Sequence, residues 1–170
     1  MISALWPPRA YGADPLTREY QIKGAYLYKL ADYVEWPAAA FASPASPLTI
    51  CVVGRDPFGG ALDQVTAGER VAGHVIEIKR LAAADPSVCH VAYFSGPTGA
   101  VLDTQLAGYD GKSVLTITDG IGEGARRGII NFVLRDDRVR FEIDEQAASD
   151  VKLAISSKLL SLATTVRRSR

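Results

Sequence analysis

No stretch of this chain comes near the ~20 uninterrupted apolar residues that a membrane-crossing helix needs. Histidine is limited to His74 and His90, and cysteine to Cys51 and Cys89. With so few soft ligands and no acidic cluster at ligand spacing, the sequence contains no metal-binding pattern. It has no Gly-x-Ser-x-Gly elbow, which excludes the usual α/β-hydrolase nucleophile. Cys89 and His90 are neighbours in the chain and alternate across a strand, so they form no nucleophile–base dyad. Charge of one sign is also missing: 19 Lys and Arg balance 19 Asp and Glu. That balance leaves no field for nucleic acid or an anionic membrane surface. Neither an enzyme, nor a bound cofactor, nor a nucleic-acid partner is expected.

What remains is ordinary globular composition, 48% hydrophobic and 22% charged over 170 residues. That length suits one domain. Residues 1–16 begin MISALWPPRAYGA, an apolar start without a basic region. They read as the residual end of a signal peptide or as a disordered start. The domain is expected over residues 17–166.

Along that domain, Ile22, Tyr26, Leu30 and Tyr33 share one face of a helix expected from Thr17 to Trp36, stopped by Pro37. Leu48–Val53 reads as a buried strand. Asp56 caps a weak helix after it, and Val71–Leu81 is a half-exposed strand. Val88–Phe94 is a further strand, Thr98–Ala107 a short helix, and Ser113–Thr118 another buried strand. Ile129–Leu134 and Val139–Ile143 make a hairpin through Arg135-Asp136-Asp137-Arg138. Asp144 caps the next helix. A terminal amphipathic helix is expected with Ile155, Leu159, Leu162 and Val166 on one face. Alternating strands and helices that finish in a hairpin predict a single three-layer αβα domain, of α/β class, with a mixed but mostly parallel sheet.

Few residues carry chemistry. The loop Gly120-Ile121-Gly122-Glu123-Gly124 has the composition of a phosphate cradle, but it leads into a strand rather than a helix. It reads as a surface turn, or as the rim of a small pocket with Arg126 and Arg127 as anion contacts. Arg138, Arg140 and Glu142 share one face of the hairpin, which favours a cross-strand ion network over a recognition row. Asn131, inside the apolar run IINFVL, needs hydrogen-bond partners if it is buried. Cys51 and Cys89, read from spacing alone, are free buried thiols.

Four blocks together add a resemblance. EYQIKGAYLYKLADYVEWP from Glu19, PLTICVVGRDPFGGAL from Pro47, CHVAYF from Cys89, and INFVLRDDRVRFEIDEQAASDVKLAISSKLLSLA from Ile130 are similar, in order and spacing, to the YfiR family. These are small exported bacterial proteins typified by a periplasmic repressor of a membrane-bound diguanylate cyclase. The resemblance implies an αβα domain, periplasmic localisation and a homodimer. It also implies binding to the periplasmic sensor part of an inner-membrane diguanylate cyclase, restraining cyclic-di-GMP synthesis and biofilm formation. It pairs Cys51 with Cys89 in a disulfide, against the free-thiol reading. The aromatic residues Tyr26, Tyr28, Tyr33 and Trp36, and Leu159, Leu160 and Leu162 of the terminal helix, are then candidate interfaces. The alternative is a periplasmic small-molecule-binding module whose pocket involves Asn131, Arg140, Glu142 and the Gly120–Gly124 loop. The candidate partner- or ligand-binding residues are thus Tyr28, Trp36, Asn131, Arg138, Arg140 and Glu142.

Overall fold

The computed structural model describes residues 15–168. Residues 1–14, which hold most of the expected signal-peptide end, lie outside the described residues, and Pro15 and Leu16 already belong to the first helix.

That helix, α1, runs Pro15–Ala31. It buries Leu27, Leu30 and Ala31 against the sheet and stops five residues short of the expected Trp36. The cause is tertiary: Val34–Glu35 forms strand β1, which pairs antiparallel with Ala154–Ile155, strand β9. The Tyr33 carbonyl accepts from the Ser156 N–H at 2.9 Å. The β-branched Val34, two residues before the Trp36-Pro37 pair, gains more from this ladder than from one further helical turn. Tyr33 and Trp36 therefore lie off the helix that was expected to present them.

The main sheet has eight strands. In chain order these are β2 (Leu48–Gly54), β3 (Arg70–Val71), β4 (His74–Leu81) and β5 (Val91–Ser95), then β6 (Leu115–Asp119), β7 (Ile130–Arg135), β8 (Arg138–Asp144) and β10 (Thr165–Arg167). Their spatial order is β10-β8-β7-β6-β5-β2-β4-β3. The β4–β2–β5–β6–β7 pairings and β8–β10 are parallel, while β7–β8 and β3–β4 are antiparallel. The domain is α/β with a mostly parallel sheet, as the alternation predicts. The expected single strand over Val71–Leu81 is broken at Ala72-Gly73, both at positive φ, which turn β3 tightly onto β4. The second hairpin turns through Asp136 and Asp137, at φ 51° and 57°, a left-handed pair that Asp tolerates better than most residues.

The helices divide between the faces. Helix α2 (Gly60–Thr66) follows β2 and packs with α1 over Ile50, Val52, Val91 and Tyr93. Helix α3 (Gly99–Ala107) follows β5 and covers Val53, Ala92 and Phe94 on the other face. The chain thus leaves β2 for β4 on one side, then crosses back to β5 on the other, so the strand order reverses between β2 and β5. The terminal helix is shorter than expected: α5 covers only Ser157–Leu162, capped by the Ser156 hydroxyl, which accepts from Leu159 N at 3.2 Å. Ile155 belongs to β9, and Val166 pairs with Ile143 in β10. The β-branched pair Thr165-Val166 takes the pleated geometry it favours. Helix α4 (Glu145–Asp150) is capped by Asp144, which accepts from Ala147 N at 2.9 Å.

Two cross-links secure the strand ends opposite the switch point. Cys51 in β2 and Cys89, just before β5, form a disulfide with Cα atoms 5.8 Å apart. The resemblance, not the spacing, gave the correct state of these sulfurs. The Phe41 ring stacks between His74 and His90, with centroids 3.9 and 4.3 Å away. His90 accepts from Thr49 N at 3.0 Å through Nδ1, so its Nε2–H donates to the Ala40 carbonyl at 2.8 Å. Burial lowers the His90 pKa, outweighing that hydrogen bond.

Candidate functional site

α1 is fixed over the sheet by a buried charge cluster. Lys23, 2% exposed, pairs with Glu19 one turn earlier and with both Asp119 oxygens at 2.8 and 2.7 Å. Asp119 ends β6, and the Tyr93 hydroxyl donates to its Oδ2 at 2.6 Å. Burial by itself would lower the Lys23 pKa, but hydrogen bonds and charges from Asp119 and Glu19 outweigh it and the net shift is upward. The ammonium therefore stays charged inside the fold and holds the N-terminal half of α1 against the ends of β5 and β6.

With α1 so placed, the β7–β8 hairpin extends beyond the helix. Tyr26 closes the covered part, its ring 6.1 Å from Phe132 and 6.3 Å from Phe141. Outside it lies an open groove of about 820 Å³ between α1 and the hairpin. Ile22 and Leu134 reach it while 39% and 53% exposed. Arg18, Arg138 and Arg140 line its rim, and none of the three has an ion-pair partner among the described residues. An apolar floor flanked by uncommitted guanidinium groups has the make-up of a protein-docking surface, where Arg is enriched.

The hairpin residues expected to act together are divided between two places. Arg138, Arg140 and Glu142 do alternate to one face, opposite the buried Val139, Phe141 and Ile143. No ion network joins them, which corrects the expectation: Glu142 pairs with Arg127 instead. The reason is register, since Glu142 sits opposite Asn131 and Arg140 opposite Val133, and the 119–128 loop folds back over the Asn131 end only. Asn131 is 2% exposed. Its Oδ1 accepts from the Thr118 hydroxyl at 2.9 Å and Ile121 N at 3.3 Å. Its Nδ2 donates to the Ile121 carbonyl at 3.0 Å and to Glu142 at 3.3 Å. Its four hydrogen bonds are thus all made, two of them to Ile121 of that loop and two to neighbouring strands. A cavity of about 220 Å³ lies beside Arg126, Arg127, Asn131 and Glu142, without Arg140. Arg126 pairs with Asp110.

The aromatic and leucine candidates differ in how far they reach the surface. Tyr28, Tyr33 and Trp36 are partly buried against the main core, and Leu159 and Leu160 are inside it. Leu162 alone of that group is exposed, at 61%. The Trp36 Nε1–H is buried without a hydrogen-bond partner among the described residues. Lys158 lies 5.4 Å from the centre of the Tyr33 ring.

Sequence reasoning did not single out Lys23, Asp119 or Arg18. The signal for the first was present as a Glu19–Lys23 pair at helical i,i+4 spacing, but its buried third member is 96 positions away. Among the described residues no helix is long and apolar enough to cross a membrane. A family model described as YfiR/HmsC-like matches residues 20–164. No curated protein matches the chain.

Proposed function

The chain belongs to the YfiR/HmsC-like family, and from that premise we propose that it is a periplasmic negative regulator that acts by binding. Its partner is the periplasmic sensor part of an inner-membrane diguanylate cyclase, and the outcome is restrained cyclic-di-GMP synthesis and biofilm formation. The protein is not an enzyme in this reading and functions as a homodimer. The observation that carries the reading, beside the family match, is the groove between α1 and the hairpin. Its exposed Ile22 and Leu134, with Arg18, Arg138 and Arg140 unpaired among the described residues, suit an amphipathic, acidic segment of a partner. Burying the two apolar side chains supplies affinity, and the arginines supply orientation and encounter rate.

The experiment is co-purification with the periplasmic domain of a candidate cyclase, with a light-scattering mass for each species. A complex of defined mass, lost in Leu134→Asp and weakened in the double charge reversal Arg138→Glu/Arg140→Glu, supports the reading. A complex that survives both but is lost in Trp36→Ala moves the interface to the original aromatic candidates. Absence of any complex across several cyclase domains overturns the proposal.

A further inference from the structure

The crevice at the carboxyl ends of β2 and β5 adjoins the groove, with Glu19 and Leu134 lining both. It lies where the strand order reverses, the place where open α/β sheets bind ligands, and it holds a cavity of about 390 Å³. That volume is within the range of small-molecule sites.

Its lining is unusual in what it leaves unsatisfied. Ser95, the last residue of β5, is 8% exposed, lines the cavity, and its hydroxyl has no hydrogen-bond partner among the described residues. The segment Ser95-Gly96-Pro97-Thr98-Gly99 runs from this central strand directly into α3, with Gly96 and Gly99 at positive φ. Thr98 is the N-cap of that nine-residue helix, yet its side chain makes no cap hydrogen bond. The N–H groups of the first turn thus lack the acceptor that usually satisfies them. A side chain at Gly54 would place its Cβ 2.5 Å from the Ser95 carbonyl, so the ends of β2 and β5 pack closely beside the crevice. Arg55 also lines the cavity, is exposed, and has no ion-pair partner among the described residues.

The opposite wall carries Glu19 and Asp119: Lys23 donates to one Glu19 oxygen and to both Asp119 oxygens, and Tyr93 donates to Asp119. On the facing side the unused donors are a guanidinium, two hydroxyls and the first-turn N–H groups. We propose that this crevice binds the oxyanion group, carboxylate or phosphate, of a compact ligand, seated on the Ser95–Gly99 turn and clamped by Arg55. The Ser95–Gly99 turn and Arg55 line this crevice and not the groove, so ligand binding there is tested separately from cyclase binding.

The test is amide-resolved NMR titration of the full chain with inorganic phosphate and, separately, succinate, each to roughly 20 mM, an upper limit that detects weak binding. Saturable shifts centred on Gly96, Thr98 and Gly99 are expected. Arg55→Gln weakens the affinity about tenfold, the loss of one charge-assisted contact, and Ser95→Ala weakens it less. Lys112→Gln, an exposed charge elsewhere, leaves it unchanged. Response to phosphate alone assigns a phosphoryl ligand, and to succinate alone a carboxylate. No saturable shift at these amides with either probe, or binding equal in wild type and Arg55→Gln, overturns the proposal, as does a response centred on Arg126 and Arg127.

Discussion

Breaking the Cys51–Cys89 disulfide is the perturbation whose size follows most directly from the fold. The bond closes a loop of sequence separation 38. In the chain-entropy model, releasing that loop in the unfolded state costs the protein about 4 kcal/mol of stability. For a chain of this length, each kcal/mol moves the thermal midpoint by about 2–4 °C, so reduction lowers it by about 8–16 °C. The two sulfurs are also packed: Cys51 is fully buried and Cys89 nearly so, among Val53, Ala92, Phe94 and Tyr109. Cys51→Ala/Cys89→Ala therefore leaves a small void as well and falls at least as far as the reduced wild type. The assay is urea unfolding of the oxidised protein, the protein unfolded and refolded in reductant, and the double variant. Free-thiol titration of the denatured oxidised protein accompanies it and should find none. A double variant within about 1 kcal/mol of the oxidised protein would refute the loop-entropy argument, and two titratable thiols in periplasmically expressed protein would refute the bond itself.

Other consequences concern buried charge, pH and turn geometry. Lys23→Met strands Glu19 and Asp119 beside the Tyr93 hydroxyl and is expected to cost about 3 kcal/mol at pH 7. Paired urea titrations of the wild type and the variant at pH 7 will read the deficit. His90 has a folded-state pKa below its ordinary value because it is buried. The unfolded chain therefore takes up the proton first, and stability falls as the pH drops through about 6.5. Urea midpoints at pH 7.5 and 5.5 should differ in the wild type and differ less in His90→Gln. Asp137→Gly supplies the residue that the second position of this left-handed turn prefers and should stabilise the protein by about 0.5–1 kcal/mol in thermal melts. A loss of stability there would mean that the Asp137 side chain does more than tolerate its φ.

Most of the sheet was legible because its strands declare themselves locally. LTICVV and VLTIT are apolar runs of strand length, and the Asp136-Asp137 turn lies between two alternating segments. The misreadings fall where pairing with a distant segment overrode a helical pattern. Tyr33 continues the Ile22-Tyr26-Leu30 spacing in number, yet Val34–Glu35 is captured by Ala154–Ile155. Val166 continues the stripe of the last helix, yet Thr165–Arg167 is drawn into the sheet beside Glu142–Asp144. Neither partner is visible from within an 18-residue window.

The candidate site divides similarly. Arg138, Arg140 and Glu142 could be placed on one strand face by alternation, but what they meet depends on register and on the loop packed over one end. Ser95-Gly96-Pro97-Thr98-Gly99 follows a strand and opens a helix, the context that the Gly120–Gly124 loop lacks. Its importance emerges only once the reversal of strand order between β2 and β5 is known.

The most direct measurement of the central claim is the rate of cyclic-di-GMP synthesis by a candidate full-length cyclase, in membrane vesicles whose periplasmic face is accessible, as this protein is titrated onto that face. A saturable fall in rate, absent with Leu134→Asp at the same concentration, is the predicted result. A rate that stays constant while the protein binds the vesicles would contradict the account, because binding without restraint is not repression.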